Sequence, residues 1–279
     1  MKFLIFGDLH GNIPKVHYKN FDAVITPGDF CSDDARKYMF LALKENLKKN
    51  SRIDWYDLIG RENAEEIIKK SMSDGRKVLE KLNSFGVPVY TVPGNWDWTS
   101  DEASSWNFLR KDHYKNLVKG FDNIIDVNHK IKDTGDYEFI GYGISSGPEY
   151  PQDKEDLKRL KLYLKDIKKE YENELRKIDF LFKKASKPII FLSHNVPFNT
   201  PIDIIIDKSP RKGQHFGSLI VREMINKYEP LVDIAGHMHE HFGKCKIGRT
   251  ICINAGYGPN KNILLEIENN KIKSLEFHE

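Results

Sequence analysis

Short clusters of ligand-type side chains recur along this sequence. Asp8 and His10 form Asp-x-His, and Asp29 follows Pro27-Gly28. Asn95 and Asp97 follow Gly94, and His194 follows Ser193. His237 and His239 form His-x-His after Gly236. Carboxylates, imidazoles and one amide carbonyl, with no thiolate, make a mixed oxygen and nitrogen donor set. That set suits first-row divalent cations such as Mn, Fe, Zn, Co or Ni, and suits calcium poorly. Asp8, His10, Asp29, Asn95, His194, His237 and His239 are too many ligands for one tetrahedral zinc. They are about right for two cations sharing a carboxylate, which in such sites stand about 3.5–4 Å apart. Such a pair can generate hydroxide near neutral pH and neutralise phosphate oxygens. Taken singly, each cluster has a plainer reading, since Asp after Gly is usually a turn or cap residue. The joint pattern is what argues for a site.

The elements that must position these residues are strands. The runs 2–6, 22–30, 87–97, 187–195 and 230–239 are apolar, β-type, and each ends in one of the clusters. In α/β folds, ligand sites lie outside the carboxyl ends of strands. On an extended backbone residues i and i+2 point the same way, so both members of Asp-x-His or His-x-His can face one cluster. Between the strands, 33–49, 60–84, 155–185 and 217–228 carry helical apolar spacing. Segments 33–84 and 151–185 are expected to flank or cap the site. The tail after Gly243 alternates short β-runs with turns and predicts a closing antiparallel meander. No repeat, low-complexity tract or linker divides the chain, so a single domain over 1–279 is expected.

Composition narrows the class. With 279 residues the chain can bury a full core. A net charge of +3 from 44 basic and 41 acidic residues does not favour a nucleic-acid partner, although the Lys-rich 155–185 segment offers a local basic face. Cys31, Cys245 and Cys252 are odd in number and lack a C-x-x-C spacing, which points to a reducing, cytoplasmic setting. Cys31 reads as a packed thiol. The apolar run before Gly7 is too short for a signal-peptide core, and no stretch approaches a membrane span.

Gly-Asp-Leu-His-Gly-Asn (7–12), Pro-Gly-Asp (27–29), Pro-Gly-Asn-Trp-Asp (93–97), Ser-His-Asn (193–195) and Gly-His-Met-His (236–239), in this order, resemble the five motifs of the calcineurin-like metallophosphoesterases. The resemblance implies an α/β fold, a four-layer α/β/β/α sandwich with two central mixed β-sheets and a helical insertion. It implies one metal held by Asp8, His10, Asp29 and His239. Asp29 would bridge to a second metal held by Asn95, His194 and His237. It implies two divalent ions, with manganese favoured, and hydrolysis of a phosphate ester.

The chain departs from the family pattern at Trp96. Many members carry His there to protonate the leaving group, with the following acid orienting it. Loss of that proton matters for an alkyl leaving group and less for an aryl one. This favours a phosphodiesterase acting on a small or nucleotide-like ester. The alternatives are a phosphomonoesterase or a catalytically weak metal-binding scaffold, and ligand completeness argues against the scaffold. The candidate catalytic residues are Asn95, Asp97 and His215. Candidate substrate contacts are Asn12, Trp96, Arg211 and His215, with Lys212 nearby. His215 lies just before a predicted helix start, a natural anion site, so it or Arg211/Lys212 is expected to meet phosphate. Trp96 and Trp98 form either an aromatic wall or ordinary packing. His241 is a candidate to support the metal ligands, while His17, His113 and His129 read as surface residues.

Overall fold

The computed structural model describes residues 1–49, 53–102, 104–206 and 211–279. One sheet of the described residues is built on the parallel strands β1 (Lys2–Ile5), β2 (Ala23–Thr26) and β3 (Val89–Thr91). It is extended on one side by β4 (Ile124–Asp126). The second sheet takes β5 (Ile131–Asp133), β6 (Glu138–Tyr142), β7 (Ile189–Asn195), β8 (Val232–Gly236), β9 (Gly243–Ile247) and β10 (Thr250–Asn254). The chain then returns to the first sheet as the hairpin β11 (Asn262–Glu268) and β12 (Lys271–His278), with β11 antiparallel to β1. Among the described residues each sheet has six strands and mixes parallel with antiparallel pairs.

Side-chain alternation explains the layers. Phe3 and Ile5 of β1, with Ile190 and Leu192 of β7, enter one core shared by the two sheets, together with Phe139 and Ile234. Their neighbours Leu4 and Phe191 point to the opposite faces, as the period of two along a strand requires. Leu4 and Val24 pack on Val78, Leu79 and Leu82 of α3 (Arg61–Asn83). Phe191 packs with Phe182 of α6 (Leu164–Lys184) and with residues of α7 (Leu219–Tyr228). The result is the expected helix, sheet, sheet, helix order.

Two local expectations change and one element is added. The tail is not one meander: β9 and β10 join the second sheet, while β11 and β12 cross to the first. The 155–185 segment is not one helix. It divides into α5 (Lys154–Arg159), which buries no residue, and α6, whose apolar stripe docks on the second sheet. No Gly or Pro marks the break, so periodicity runs through it. The helices expected over 33–49 and 60–84 are present as α1 (Arg36–Lys49) and α3, and what is added is the short α2 (Trp55–Ile59) between them, with Trp55, Tyr56, Ile68 and Trp106 forming a separate core. Residues 50–52 lie outside the described residues.

Candidate metal centre

All five predicted strand ends converge where the two sheets meet. Asp8, Asp29 and Asn95 follow β1, β2 and β3, while His194 lies in β7 and His237 follows β8. The Pro27 carbonyl accepts a bond from His194 Nδ1 at 2.9 Å, tying the sheets together at the site. That bond places the proton on Nδ1 and leaves the Nε2 lone pair facing inward, the arrangement a metal-binding imidazole needs.

Two groups of donors share one oxygen. In the first, donor atoms of Asp8, His10, Asp29 and His239 lie within 4.8 Å of one another. His10 Nε2 and His239 Nε2 face each other at 3.2 Å. In the second, Asn95 Oδ1 stands 2.8 Å from His194 Nε2 and 2.9 Å from His237 Nδ1. Asp29 Oδ2 lies between the groups, 3.5 Å from His10 Nε2 and 3.7 Å from His194 Nε2. The residues present fit two cations. Asp8 Oδ1 is buried with no hydrogen-bond partner, and converging lone pairs on facing imidazoles repel unless a cation separates them.

Electrostatics agree. Burial pushes His10 down to about 4 against the pull of Asp8. Burial, with His194 nearby, pushes His237 down to about 3, and burial lowers His194 also. These imidazoles are therefore neutral at pH 7, the form that binds metal. Burial raises Asp8, but the His239 contact and the surrounding imidazoles outweigh it and hold its carboxyl below the usual range. Burial and the carboxylates of Asp8 and Asp97 push Asp29 well above that range. A carboxylate that dislikes its charge here is relieved by a cation.

The backbone is bent to make this arrangement. His10, Asp29 and His237 have φ of 44°, 53° and 62°. Non-glycine residues avoid that left-handed region, and strain of this kind collects at functional sites. The i, i+2 alternation expected for Asp-x-His and His-x-His therefore does not hold: these ligands sit in tight turns beyond the strand ends. Glycines make room for the acids. A Cβ on Gly94 would lie 2.1 Å from Asp29 Oδ1, and one on Gly236 would lie 2.2 Å from Asp8 Oδ1.

The other expected residues divide. Asp97 is fully buried and does not orient a catalytic side chain. Its Oδ1 accepts from the amides of Phe30 and Cys31, and its Oδ2 from those of Asp29 and Gly94. It is a positioning residue for the Asp29 turn. Burial raises its carboxyl to about 6 against the pull of those amides. Trp96 lines the metal cavity, while its amide donates to Asp29 Oδ1 at 2.7 Å. Trp98 packs in the helical cores and donates to Ser71, so it forms no wall there. Asn12 spends its amide on the carbonyls of Leu9 and His10. His241 holds the Ile204 carbonyl. The anion site expected before α7 is already filled: Glu149 accepts from Ser218 Oγ and the Leu219 amide. His215 and Arg211 line a neighbouring cavity, and Lys212 is exposed. His17 is exposed, whereas His113 and His129 are partly buried and bonded to Phe108 and Glu174. Cys31 is buried and burial drives its thiol well up, so it offers no thiolate.

Sequence reasoning missed two residues, one lining the cavity and one stacked on its ligands. Arg36, at the start of α1, lines the metal cavity with its guanidinium 5.6 Å from the Trp96 ring. In sequence it sits in a charged stretch that reads as a solvated helix start. Tyr257 stacks on His239 at 4.6 Å and lies 5.5 Å from His10. It follows β10, whose carboxyl end joins the other five, and a search of every strand end finds it.

Residues 7–277 match the sequence profile of a family described as metallophosphoesterase, calcineurin superfamily. None of the curated proteins matches the chain in sequence. One solved structure shares 18% identity with a TM-score of 0.61, covering 99% of this chain and 98% of its own. Phosphopantetheinyl hydrolase (PptH) from Mycobacterium tuberculosis shares 12% identity with a TM-score of 0.57, covering 92% and 90%. A dimetal phosphatase from Danio rerio shares 11% identity with a TM-score of 0.55, covering 99% and 95%. At these identities the likeness is one of fold. Among the described residues no helix is long and apolar enough to cross a membrane.

Proposed function

The chain belongs to the calcineurin superfamily of metallophosphoesterases, and from that premise we propose that it is a phosphodiesterase for a small or nucleotide-like ester, working with two divalent metals at one domain formed by residues 1–279. The observation that carries the reading is Asp29 Oδ2, set between His10 and His194 so that one carboxylate serves both donor groups. Asp8, His10, Asp29 and His239 would hold one ion, and Asn95, His194 and His237, with Asp29, would hold the other. Bound there, the ions lower the pKa of a water and offset the charge of phosphate oxygens. Manganese is favoured, because oxygen and imidazole donors without thiolate suit it. The unpaired cysteine count supports a cytoplasmic setting.

This chain's residues do the rest. Arg36 meets a phosphate oxygen, with Trp96 as the apolar wall beneath its guanidinium. Tyr257 restrains the His239 ring by stacking. Among the described residues, Arg36 is the one Lys or Arg lining the cavity, and Glu240 lines it too. That balance suits the single negative charge of a diester better than the double charge of a monoester.

The test is turnover of bis(p-nitrophenyl) phosphate against p-nitrophenyl phosphate after loading with Mn²⁺, Ni²⁺ or Co²⁺. The proposal expects the diester to be preferred. Hydrolysis of neither would sink the enzyme reading, and preference for the monoester would sink the diester assignment.

A further inference from the structure

Beside the metal cavity, of about 380 Å³, lies a second of about 370 Å³. We propose that this second cavity seats the departing alcohol of the ester and that His215, held by Asp203, gives its oxygen a proton. The inference rests on the phosphoesterase reading above.

The two cavities share a wall: Phe216 lines both, and the backbone of Ser146, which lines the second, hydrogen-bonds the His237 ring. The segment carrying His215 is pinned to the end of β7. Asn195 Nδ2, next to the ligand His194, donates to the Phe216 carbonyl at 3.0 Å, and the Ser218 amide donates to Val196 at 2.8 Å.

His215 is oriented as a donor. Its Nδ1 bonds Asp203 Oδ1 at 2.6 Å, which leaves Nε2 to the cavity. The imidazole is 31% exposed, while Asp203 is fully buried. Asp203 already accepts from the amides of Asn199, Thr200 and Gly217. The carboxylate is therefore satisfied without His215, so the imidazole is not needed to balance it. A carboxylate, an imidazole and a free ring nitrogen in a cavity form the arrangement of a positioned proton donor.

The lining also defines the alcohol. Ser146, Gln152, Gln214 and His215 offer hydrogen bonds. Arg211 is engaged with Asp156 at 3.0 Å and lies 5.1 Å from the Phe216 ring, and Glu149 and Asp153 line the cavity too, so among the described residues the lining is acidic on balance and disfavours a second phosphate. A neutral, hydroxylated alkyl alcohol fits. In the step itself, water oxygen forms the new bond to phosphorus and its proton goes to solvent. The bond from phosphorus to the alcohol oxygen breaks, and its electron pair stays on that oxygen. That oxygen takes the Nε2 proton of the His215 imidazolium, which leaves a neutral ring with its Nδ1–H on Asp203, and solvent returns a proton to Nε2. This proton is the one Trp96 cannot supply.

Wild type, His215→Ala and His215→Gln, loaded with Mn²⁺, are compared on methyl p-nitrophenyl phosphate and methyl glyceryl phosphate, following p-nitrophenol and glycerol. Loss of a general acid costs about 10²-fold or more for the glyceryl ester and less than about threefold for the nitrophenyl ester, whose leaving group needs no proton. Retained nitrophenyl turnover also demonstrates that the variants fold. Equal losses on both esters, or no loss on either, overturn the role of His215. If wild type hydrolyses neither ester, the phosphoesterase reading falls instead. The cavity is then judged by ¹H–¹⁵N spectra of the His215 ring titrated with methyl glyceryl phosphate. A moving Nε2 signal supports occupancy, and a stationary one overturns it.

Discussion

Asp97 carries the heaviest structural demand at the site, and Asp97→Asn isolates it. The change keeps shape and removes charge. The wild-type carboxylate accepts four backbone amides, from Asp29, Phe30, Cys31 and Gly94, at 2.8 to 3.1 Å. An Asn has one acceptor oxygen, so two of those amides lose their partner and face an NH₂ group. Hydrogen bonds to a charged group contribute about 1.5–3 kcal/mol each, so losing two costs about 3–6 kcal/mol before relaxation. The loss falls on the turn that presents Asp29, so it should also loosen the shared oxygen between the two donor groups. Urea unfolding of metal-free protein at pH 8 reads the stability loss, because absent metal adds no linkage term. Metal content after dialysis reads the second effect, with fewer than two ions per chain expected. A stability loss under about 1 kcal/mol, with two ions retained, would refute the reasoning, since buried orphaned amides are not that cheap.

Three further outcomes follow from the same geometry. Asn95→Ala and His237→Ala should lower the metal count from two to one per chain by elemental analysis while leaving the Asp8–His10–His239 group loaded; two ions in either variant would move the ligand assignment. Arg36→Ala should raise KM about 10- to 100-fold, matching one charge-assisted contact of about 1.5–3 kcal/mol, with kcat changed far less; an unchanged KM would remove Arg36 from the substrate. The His129 and Lys177 contacts, the first outweighing the opposing effect of burial, hold the Glu174 carboxyl at about 2. A depressed acid contributes its stability above its unfolded value of about 4.3, and that stability is lost as pH falls toward the folded value. With both side chains a third exposed, Glu174→Gln should cost about 1 kcal/mol at pH 7 after allowance for screening. The variant and wild type should converge between pH 4.5 and 2, and a constant gap across that range would exclude the mechanism.

How much was legible in the sequence follows from where the free energy is local. The five ligand-bearing strands are short buried runs, and a buried run ending at Gly-Asp or Gly-His leaves a clear signature. β4 and β5 leave little, because the three residues of each are only half buried or exposed at sheet edges. The path of the tail between sheets is a long-range pairing of β11 with β1 that no local turn specifies. At the site, the metal ligands could be found by type and order. Asp97 had the right neighbourhood and a different task, because which amides it meets depends on how two loops from different strands cross. Arg36 was hidden for the same reason: its helix start reaches Trp96 only in three dimensions. The left-handed turns at His10, Asp29 and His237 fall on Asp and His, which enter that region more readily than most non-glycine residues, but nothing local in the sequence marks these three positions as the ones that do.

The central claim is that two cations share Asp29. Anomalous diffraction from crystals grown with Mn²⁺ tests it directly. The account predicts two peaks about 3.5–4 Å apart, with Asp29 Oδ2 between them, one beside His10 and His239 and the other beside Asn95, His194 and His237. A single peak, or two peaks not bridged by Asp29, would contradict it.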